Sequence, residues 1–468
     1  MPMSKILFFN PPSRKSVYLS TNVSVGAPSY PSLSLATLAG NLIKEHNVKI
    51  IDFDLFANFY EPLFDEMRNF KPDIVASSAI TPNYLTVKDI MYKIKEKYSH
   101  IRTVIGGVHV TTLQEETSKE DCFDVIVTGE GDTVISELLS SCSAKNVAGI
   151  IYKDVTSGER IHTPKRKLIS NLNALPYPAW NLFSLKKYKN SRLSSRRNPV
   201  GLIETSRGCA FQCNFCNKLT FGSEYRVKDP KRVVDEMQYM LKCGFKEIHI
   251  IDDNFTQDID RAKEVCAEII KRNLKFTWSL FNGVRVDMVD FEFFKLAKES
   301  GCWQVAFGIE TGDQNILNKI NKKVRLSQSE NAVNLAKKAG IDTFGFFVLA
   351  LSGETEESLK RTIEFAKKLP LDMAKFDICI PYPGTPYYNE LKSERRIKSD
   401  NWSKYICHQI DEPLFDHRNL EWSTIRAYYK SAFREFYLRP SYIMRRFMRS
   451  LKMGDLLYDF YYFLKAKW

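Results

Sequence analysis

The chain has no run of apolar residues approaching the roughly 20 that a membrane-spanning helix requires, so none of its 468 residues is expected to cross a bilayer. No secretory leader is expected: Met1-Pro2-Met3-Ser4-Lys5 runs straight into Ile6-Leu7-Phe8-Phe9, too short for export and suited to a first strand. The expected compartment is the reducing cytoplasm, where clustered cysteines mean metal or catalysis before disulfides. No RNA-binding signature accompanies the net charge of +13, which leaves nucleic acid, an anionic membrane surface or a merely lysine-rich composition as its reading. What is present is ordinary for globular proteins, 44% hydrophobic residues over a length that suits two or three domains.

The expected fold class is α/β. In residues 1–145, five apolar runs (Lys5 to Phe9, Val48 to Asp52, Asp73 to Ser77, Arg102 to Gly106, Asp124 to Thr128) alternate with helical patterns. That is the pattern of a doubly wound, Rossmann-like (flavodoxin-like) sheet. Its ligand edge lies at the carboxyl ends of the strands, here Asn10-Pro11-Pro12, Ser77-Ser78, Gly106-Gly107-Val108-His109 and Gly129-Glu130-Gly131-Asp132. Residues 146–198 read as a linker containing a hairpin. Residues 199–385 carry six strand candidates (Gly201 to Thr205, Glu247 to Asp252, Phe276 to Phe281, Gln304 to Glu310, Thr343 to Leu349, Lys375 to Ile380) separated by helices, which predicts a partial (β/α)6 TIM-type barrel. Residues 386–468 read as a helical extension. Its end, with Arg439, Arg445, Arg446, Arg449 and Lys452 among aromatic and aliphatic residues, suits either a membrane-surface helix or a basic helix packed on the protein.

After the first barrel strand comes Arg207-Gly208-Cys209-Ala210-Phe211-Gln212-Cys213-Asn214-Phe215-Cys216-Asn217. Three thiols spaced C-x₃-C-x₂-C satisfy three irons of a cubane cluster and leave the fourth open to an amine and carboxylate. A zinc knuckle would instead show paired C-x₂-C units or a nearby His.

On this spacing, with an aromatic Phe215 before the last Cys, the chain resembles the radical S-adenosylmethionine superfamily. The resemblance implies a [4Fe–4S] cluster on Cys209, Cys213 and Cys216 that cleaves S-adenosylmethionine to a 5′-deoxyadenosyl radical. It further implies that Asp253 and Asn254, after the second strand, hold the amino group of that cofactor, and that Glu310, ending the fourth, holds its ribose. Arg285 would meet the methionyl carboxylate or a substrate anion, with a surface salt bridge as the alternative. Glu354, Glu356 and Glu357 are explained as acids favoured in the first turn of a helix.

The N-terminal domain resembles that of the cobalamin-dependent branch. Small residues at Ser77, Ser78, Gly106, Gly107, Gly129 and Gly131 let a bulky planar ring approach the backbone, and Glu130 and His109 are grouped with them as candidate cobalamin contacts. No Asp stands two positions before any of the seven His, so the Asp-x-His-x-x-Gly source of a cobalt ligand is absent, and His109 is expected to pack near the ligand. The reaction implied is methyl transfer to an unactivated carbon or phosphorus. A radical cyclase, oxidase or rearrangement enzyme, a non-catalytic corrinoid or redox sensor, and a nucleic-acid modifier are the alternatives. A small-molecule or lipid-linked substrate and a reducing donor such as flavodoxin or ferredoxin complete the expectation, with membrane-surface contact through the C-terminal helix.

Overall fold

Parallel strands buried on both faces need continuous apolar runs, and Ile6 to Phe9, none of them exposed to solvent, is such a run. In the computed structural model, which describes residues 3–14, 17–18, 27–154, 156–408 and 411–465, these residues form β1 (Lys5–Asn10) at the centre of the first sheet. Around it lie β2 (Asn47–Asp52), β3 (Ile74–Ser78), β4 (Arg102–Gly106) and β5 (Val125–Val127), all parallel in the order β2-β1-β3-β4-β5. This is the flavodoxin-like order, whose ligand crevice opens between β1 and β3, where the winding reverses.

The hairpin expected within 146–198 joins the first sheet. Strands β6 (Ile150–Lys153) and β7 (Arg160–His162) extend the first sheet antiparallel beyond β5. Without them β5 would be a bare apolar edge; Ile150 and Ile151 are buried in closing it. The rest of the segment clamps the two sheets together. Tyr188 donates to Asp52 Oδ2 at 2.7 Å, and the buried Trp180 packs edge-on against Phe245.

The second sheet begins at β8 (Val200–Ile203), followed by a short antiparallel pair, β9 (Ser206–Arg207) and β10 (Arg226–Val227). It continues through β11 (Glu247–Ile250), β12 (Thr277–Val284), β13 (Cys302–Glu310), β14 (Asp342–Leu349) and β15 (Met373–Ile378). Its six long strands are parallel and in chain order, the open barrel the sequence predicts. Helices Pro230–Cys243, Ile259–Lys271, Phe291–Glu299, Leu326–Lys338 and Glu356–Lys368 separate them, so every strand ends at one mouth.

The C-terminal extension is helical only in part. Helix Pro386–Ser393 gives way to an irregular stretch with one isolated bridge, Ile397 to Phe415, before helices Trp422–Tyr437, Pro440–Met453 and Leu456–Lys465. Arginines of helix Pro440–Met453 bond to the protein and across the tail. Arg446 pairs with Asp459 at 2.6 Å, Arg445 donates to the Leu371 carbonyl at 2.7 Å, and Arg449 pairs with Asp342 and Asp372. Among the exposed residues are Met444, Phe447, Met448, Leu451, Leu457, Phe460 and Leu464. The tail therefore lies at the strands' N-terminal ends, opposite the mouth, with its apolar side outward. Among the described residues no helix is long and apolar enough to cross a membrane.

Candidate active site

The cysteine loop leaves β9 through Gly208, whose φ of +82° is left-handed. A Cβ there would stand 2.2 Å from the Glu224 carbonyl oxygen, so only glycine lets the loop turn so close to the returning chain. Arg207 anchors the turn: its guanidinium donates to Glu204 at 2.6 Å, Asp132 at 2.8 Å and Glu130 at 3.1 Å. Further bonds hold the loop from three sides. Lys218 Nζ donates to the Cys209 carbonyl (2.9 Å), the Ala210 amide to Gln257 Oε1 (3.1 Å), and Asn321 Nδ2 to the Gln212 carbonyl (2.7 Å). Asn217 Nδ2 donates to Thr112 Oγ1 of the first sheet's domain (3.0 Å) and to the Pro383 carbonyl (2.8 Å).

Cys209, Cys213 and Cys216 are free thiols. Burial pushes Cys213 up and Cys216 to about 11, so both stay protonated until a metal displaces the proton. Three thiols on one pinned loop, with no His among them, fit the cubane cluster read from the sequence.

The other expected residues of the barrel gather here. Asp253 Oδ2 accepts from the Gly208 amide at 3.2 Å, and burial together with neighbouring Asp252 raises its carboxyl. Asp252 itself is structural, accepting from the Thr205 amide and Ser206 Oγ, both at 2.6 Å, to tie β11 to β8. Asn254 is buried, with its Oδ1 lacking a partner. Glu310 takes a φ of +68° and pairs with Lys322 Nζ at 2.5 Å. Arg285 is buried, which overturns the surface-bridge alternative. It pairs with Asp287 at 3.0 Å, stacks on Phe211 of the cysteine loop at 3.5 Å, and leaves Nη1 without a partner. Lys322, Glu310 and Arg285 all lie close enough to act on the Cys213 thiol. Two orphaned buried polar atoms, Arg285 Nη1 against the cysteine loop and Oδ1 of Asn254 next to Asp253, suit a polar ligand such as S-adenosylmethionine.

Below the mouth the barrel is filled. Tyr30 OH and His249 Nδ1 are 3.1 Å apart, and His249 Nε2 and Glu247 Oε1 2.8 Å, with His249 and Glu247 fully buried.

The first sheet's candidates divide. Ser77 Oγ donates to the Phe9 carbonyl at 2.9 Å, which occupies it within the sheet. Gly107 has a φ of +105°, and a Cβ there would stand 2.4 Å from the Ala79 carbonyl oxygen and 2.8 Å from Ser78 Oγ, so it serves close protein packing. Gly106 and Gly131 both face Val127, Gly131 more tightly. Around Gly129, φ +79°, a Cβ would meet nothing within 4 Å, the open space a planar ring needs. The Glu130 carboxylate accepts from Arg207 (3.1 Å), Arg226 (2.9 Å) and the Ile169 amide (2.6 Å), a buried joint between the sheets. His109 is stacked on Tyr84 at 4.0 Å and edge-on to Trp402. Burial lowers it to about 3, and its Nε2 has no partner.

Two residues of the mouth were missed. Lys322 carries no sequence signal beyond lying among other lysines. Glu354 was grouped with first-turn acids, but helix Glu356–Lys368 starts after its N-cap Thr355. Glu354 is fully buried, bonded to the Leu351 amide through Oε2 (3.1 Å) with Oε1 unpartnered, and burial raises it to about 8.

Residues 203–366 match the model of the radical SAM superfamily and residues 20–139 that of the B12 binding domain. An uncharacterised methyltransferase of Pyrococcus horikoshii is 34% identical over 452 residues, 95% of each chain. The anaerobic magnesium-protoporphyrin IX monomethyl ester cyclase of Cereibacter sphaeroides is 28% identical over 89% of this chain and 68% of its own. The fold is similar to that of the radical S-adenosylmethionine methyltransferase TsrM of Kitasatospora setae, with TM-score 0.67 and 19% identity over 84% of this chain and 78% of that one. The chain belongs to the radical SAM superfamily as a member with a B12 binding domain, an enzyme whose cofactors are a [4Fe–4S] cluster, S-adenosylmethionine and cobalamin.

Proposed function

We propose that the enzyme transfers a methyl group to an unactivated carbon or to phosphorus in a small-molecule substrate. One observation carries this: the relative that aligns along 95% of both chains is named a methyltransferase. When bound, the cluster and S-adenosylmethionine supply a 5′-deoxyadenosyl radical and cobalamin supplies the methyl group. In this reading Cys209, Cys213 and Cys216 hold the cluster, with the neighbouring Lys218, Lys322 and Arg285 offsetting its negative charge. Asp253 and the free Oδ1 of Asn254 meet the amino group of S-adenosylmethionine, the free Nη1 of Arg285 its carboxylate, and Glu310, held by Lys322, its ribose. Gly106, Gly129 and Gly131 line the cobalamin edge, while Ser77, Ser78, Gly107 and Glu130 support it from within the fold. The Tyr30–His249–Glu247 chain keeps water out from below.

A cyclase is the second reading, favoured by the 28% identity to the Cereibacter enzyme. Anaerobically reconstituted enzyme, given a small-molecule extract, methyl-labelled S-adenosylmethionine and a low-potential donor such as flavodoxin, separates the two. Methyl transfer yields S-adenosylhomocysteine together with 5′-deoxyadenosine and a labelled product. Deoxyadenosine alone would reject it in favour of the cyclase.

Contact with an anionic membrane surface belongs to the same proposal. Residues 438–468 hold seven basic residues against two acids; Asp455 pairs with Arg196 of the body and Asp459 with Arg446 of the tail itself, so the segment keeps a net positive charge even with Arg449 paired to Asp342 and Asp372. A second copy carrying the same positive charge would be repelled; an anionic bilayer would not. The apolar face lies opposite the cysteines, so it anchors the enzyme without delivering lipid to the mouth. Enzyme carrying Phe447→Glu and Leu457→Glu should sediment with anionic vesicles at least tenfold less than the parent. Equal sedimentation, or a concentration-dependent dimer in place of vesicle binding, would remove this part.

A further inference from the structure

At the opposite edge of the mouth from the cysteine loop, three more donor side chains converge. Asp377 is the last residue but one of β15. Cys407 and His408 come from the irregular stretch after helix Pro386–Ser393, fastened to β15 where the Ile378 amide donates to the Cys407 carbonyl at 3.0 Å. One donor atom from each of the three lies within 4.8 Å of the other two. Asp377 Oδ1 and His408 Nδ1 are 3.1 Å apart, yet neither makes a hydrogen bond although both atoms are buried. The His408 side chain is 1% exposed.

A buried polar atom without a partner costs about 1–3 kcal/mol, and two that face each other call for an occupant between them. An imidazole relaying a proton between a thiol and a carboxylate would hold them on its opposite nitrogens, well apart. Cys407 Sγ does lie 3.6 Å from His408 Nε2, but donor atoms of Asp377 and Cys407 also come within 4.8 Å of each other, closer than a ring held between them would place them. The three donors instead point at one place.

We propose that Asp377, Cys407 and His408 bind a divalent ion of the zinc class, with its fourth position open to a substrate oxygen or nitrogen. Carboxylate, thiolate and imidazole are zinc's three donor types, with bonds of about 2.0–2.3 Å, and three protein ligands plus an open position is the arrangement of reactive rather than structural zinc. One oxygen, one sulfur and one nitrogen is a poor set for magnesium or calcium, which take oxygen. The thiolate and carboxylate together neutralise the ion; the Cys407 proton leaves to solvent as the metal enters. Asp377 Oδ2 lies 3.1 Å from Lys375 Nζ, an outer partner that fixes the carboxylate's orientation. Tyr18, its ring 6.0 Å from that of His408, flanks the site from the first sheet's domain.

The site predates any choice between methyl transfer and cyclisation, and its test does not depend on either. Enzyme reconstituted with iron, sulfide and cobalamin is exposed to one equivalent of zinc, desalted, and its metals counted. We expect close to one zinc per chain, with a Zn-edge absorption spectrum fitted by one sulfur and two or three nitrogen or oxygen neighbours. His408→Ala and Asp377→Asn should each lower bound zinc at least tenfold while iron and cobalamin content stay at the parental level, which also verifies folding. A variant with Cys209, Cys213 and Cys216 all changed to Ala should keep its zinc. Less than a tenth of an equivalent on the parent, zinc retained in His408→Ala, or a shell of three or four sulfurs, which would place the ion on the cluster cysteines, overturns the proposal.

Discussion

The two sheets present the same kind of edge, carboxyl ends of parallel strands facing each other, yet they use their polar residues in opposite ways. At the barrel mouth the expected residues crowd around one loop and keep unspent bonding capacity: Asn254 Oδ1 and Arg285 Nη1 lack partners. At the edge of the first sheet Ser77 is spent on Phe9 and Glu130 on two arginines, and of the expected polar groups there His109 keeps a free atom, its buried Nε2. A cluster and an amino-acid-like cofactor are held through directed bonds, so their site must leave donors and acceptors free. A large planar ring is held mainly by shape, so its site needs open space, as at Gly129, more than it needs free polar atoms.

The largest effect that tests this contrast comes from the loop. Changing any one of Cys209, Cys213 or Cys216 to Ala should abolish both cluster absorbance and S-adenosylmethionine cleavage while cobalamin binding persists; cleavage retained by any of the three would end the reading of the mouth. Glu130→Gln comes next. If its carboxylate is a joint, leaving Arg207 and Arg226 short of a buried partner should cost about 3–5 kcal/mol, seen as a lower denaturation midpoint. A cobalamin affinity that falls while the midpoint holds would instead return Glu130 to the ligand and erase the contrast. Lys322→Met sharpens the other side: with Glu310 left unpaired in a buried site, the KM for S-adenosylmethionine should rise about tenfold with iron content unchanged, and Lys322→Arg should restore most of it.

How far each edge was legible follows from the same difference. The strands were readable because parallel strands need apolar runs with helices between, and five helices do separate the barrel strands. The cysteine loop was readable because its spacing is dictated by a cubane. Glycine and serine at strand ends carry no such stamp: Gly107 and Gly129 look alike in sequence, but one packs against Ala79 and the other faces open space. Long-range pairings leave no local trace either. Nothing near Glu130 announces Arg226, 96 residues on, and nothing near Cys407 announces Asp377. The hairpin at Ile150 was seen as a hairpin, but which sheet it joins depends on β5 lacking a neighbour, a property of the assembled sheet.

Glu354 gives the smallest and most diagnostic test, because it sits at the barrel mouth yet behaves like a residue of the other edge. It ends β14's turn fully buried, its carboxyl raised by that burial from 4.5 to about 8, and it bonds the Leu351 amide. An acid that holds its proton more tightly folded than unfolded contributes stability that is fully present below about pH 4.5 and is lost as the pH climbs through about 8. Across that window the unfolded chain has released the proton and the folded one has not. Stability therefore declines by at most about 1.4 kcal/mol per pH unit from this group alone. Glu354→Gln removes the titration while keeping the amide acceptor, so its melting temperature should fall less than the parent's between pH 5.5 and 8, and the two curves should run parallel above that. Should the two slopes match throughout, Glu354 is ionised in the folded enzyme, and its unpartnered Oε1 would then belong with Asn254 and Arg285 among the atoms kept free for a ligand.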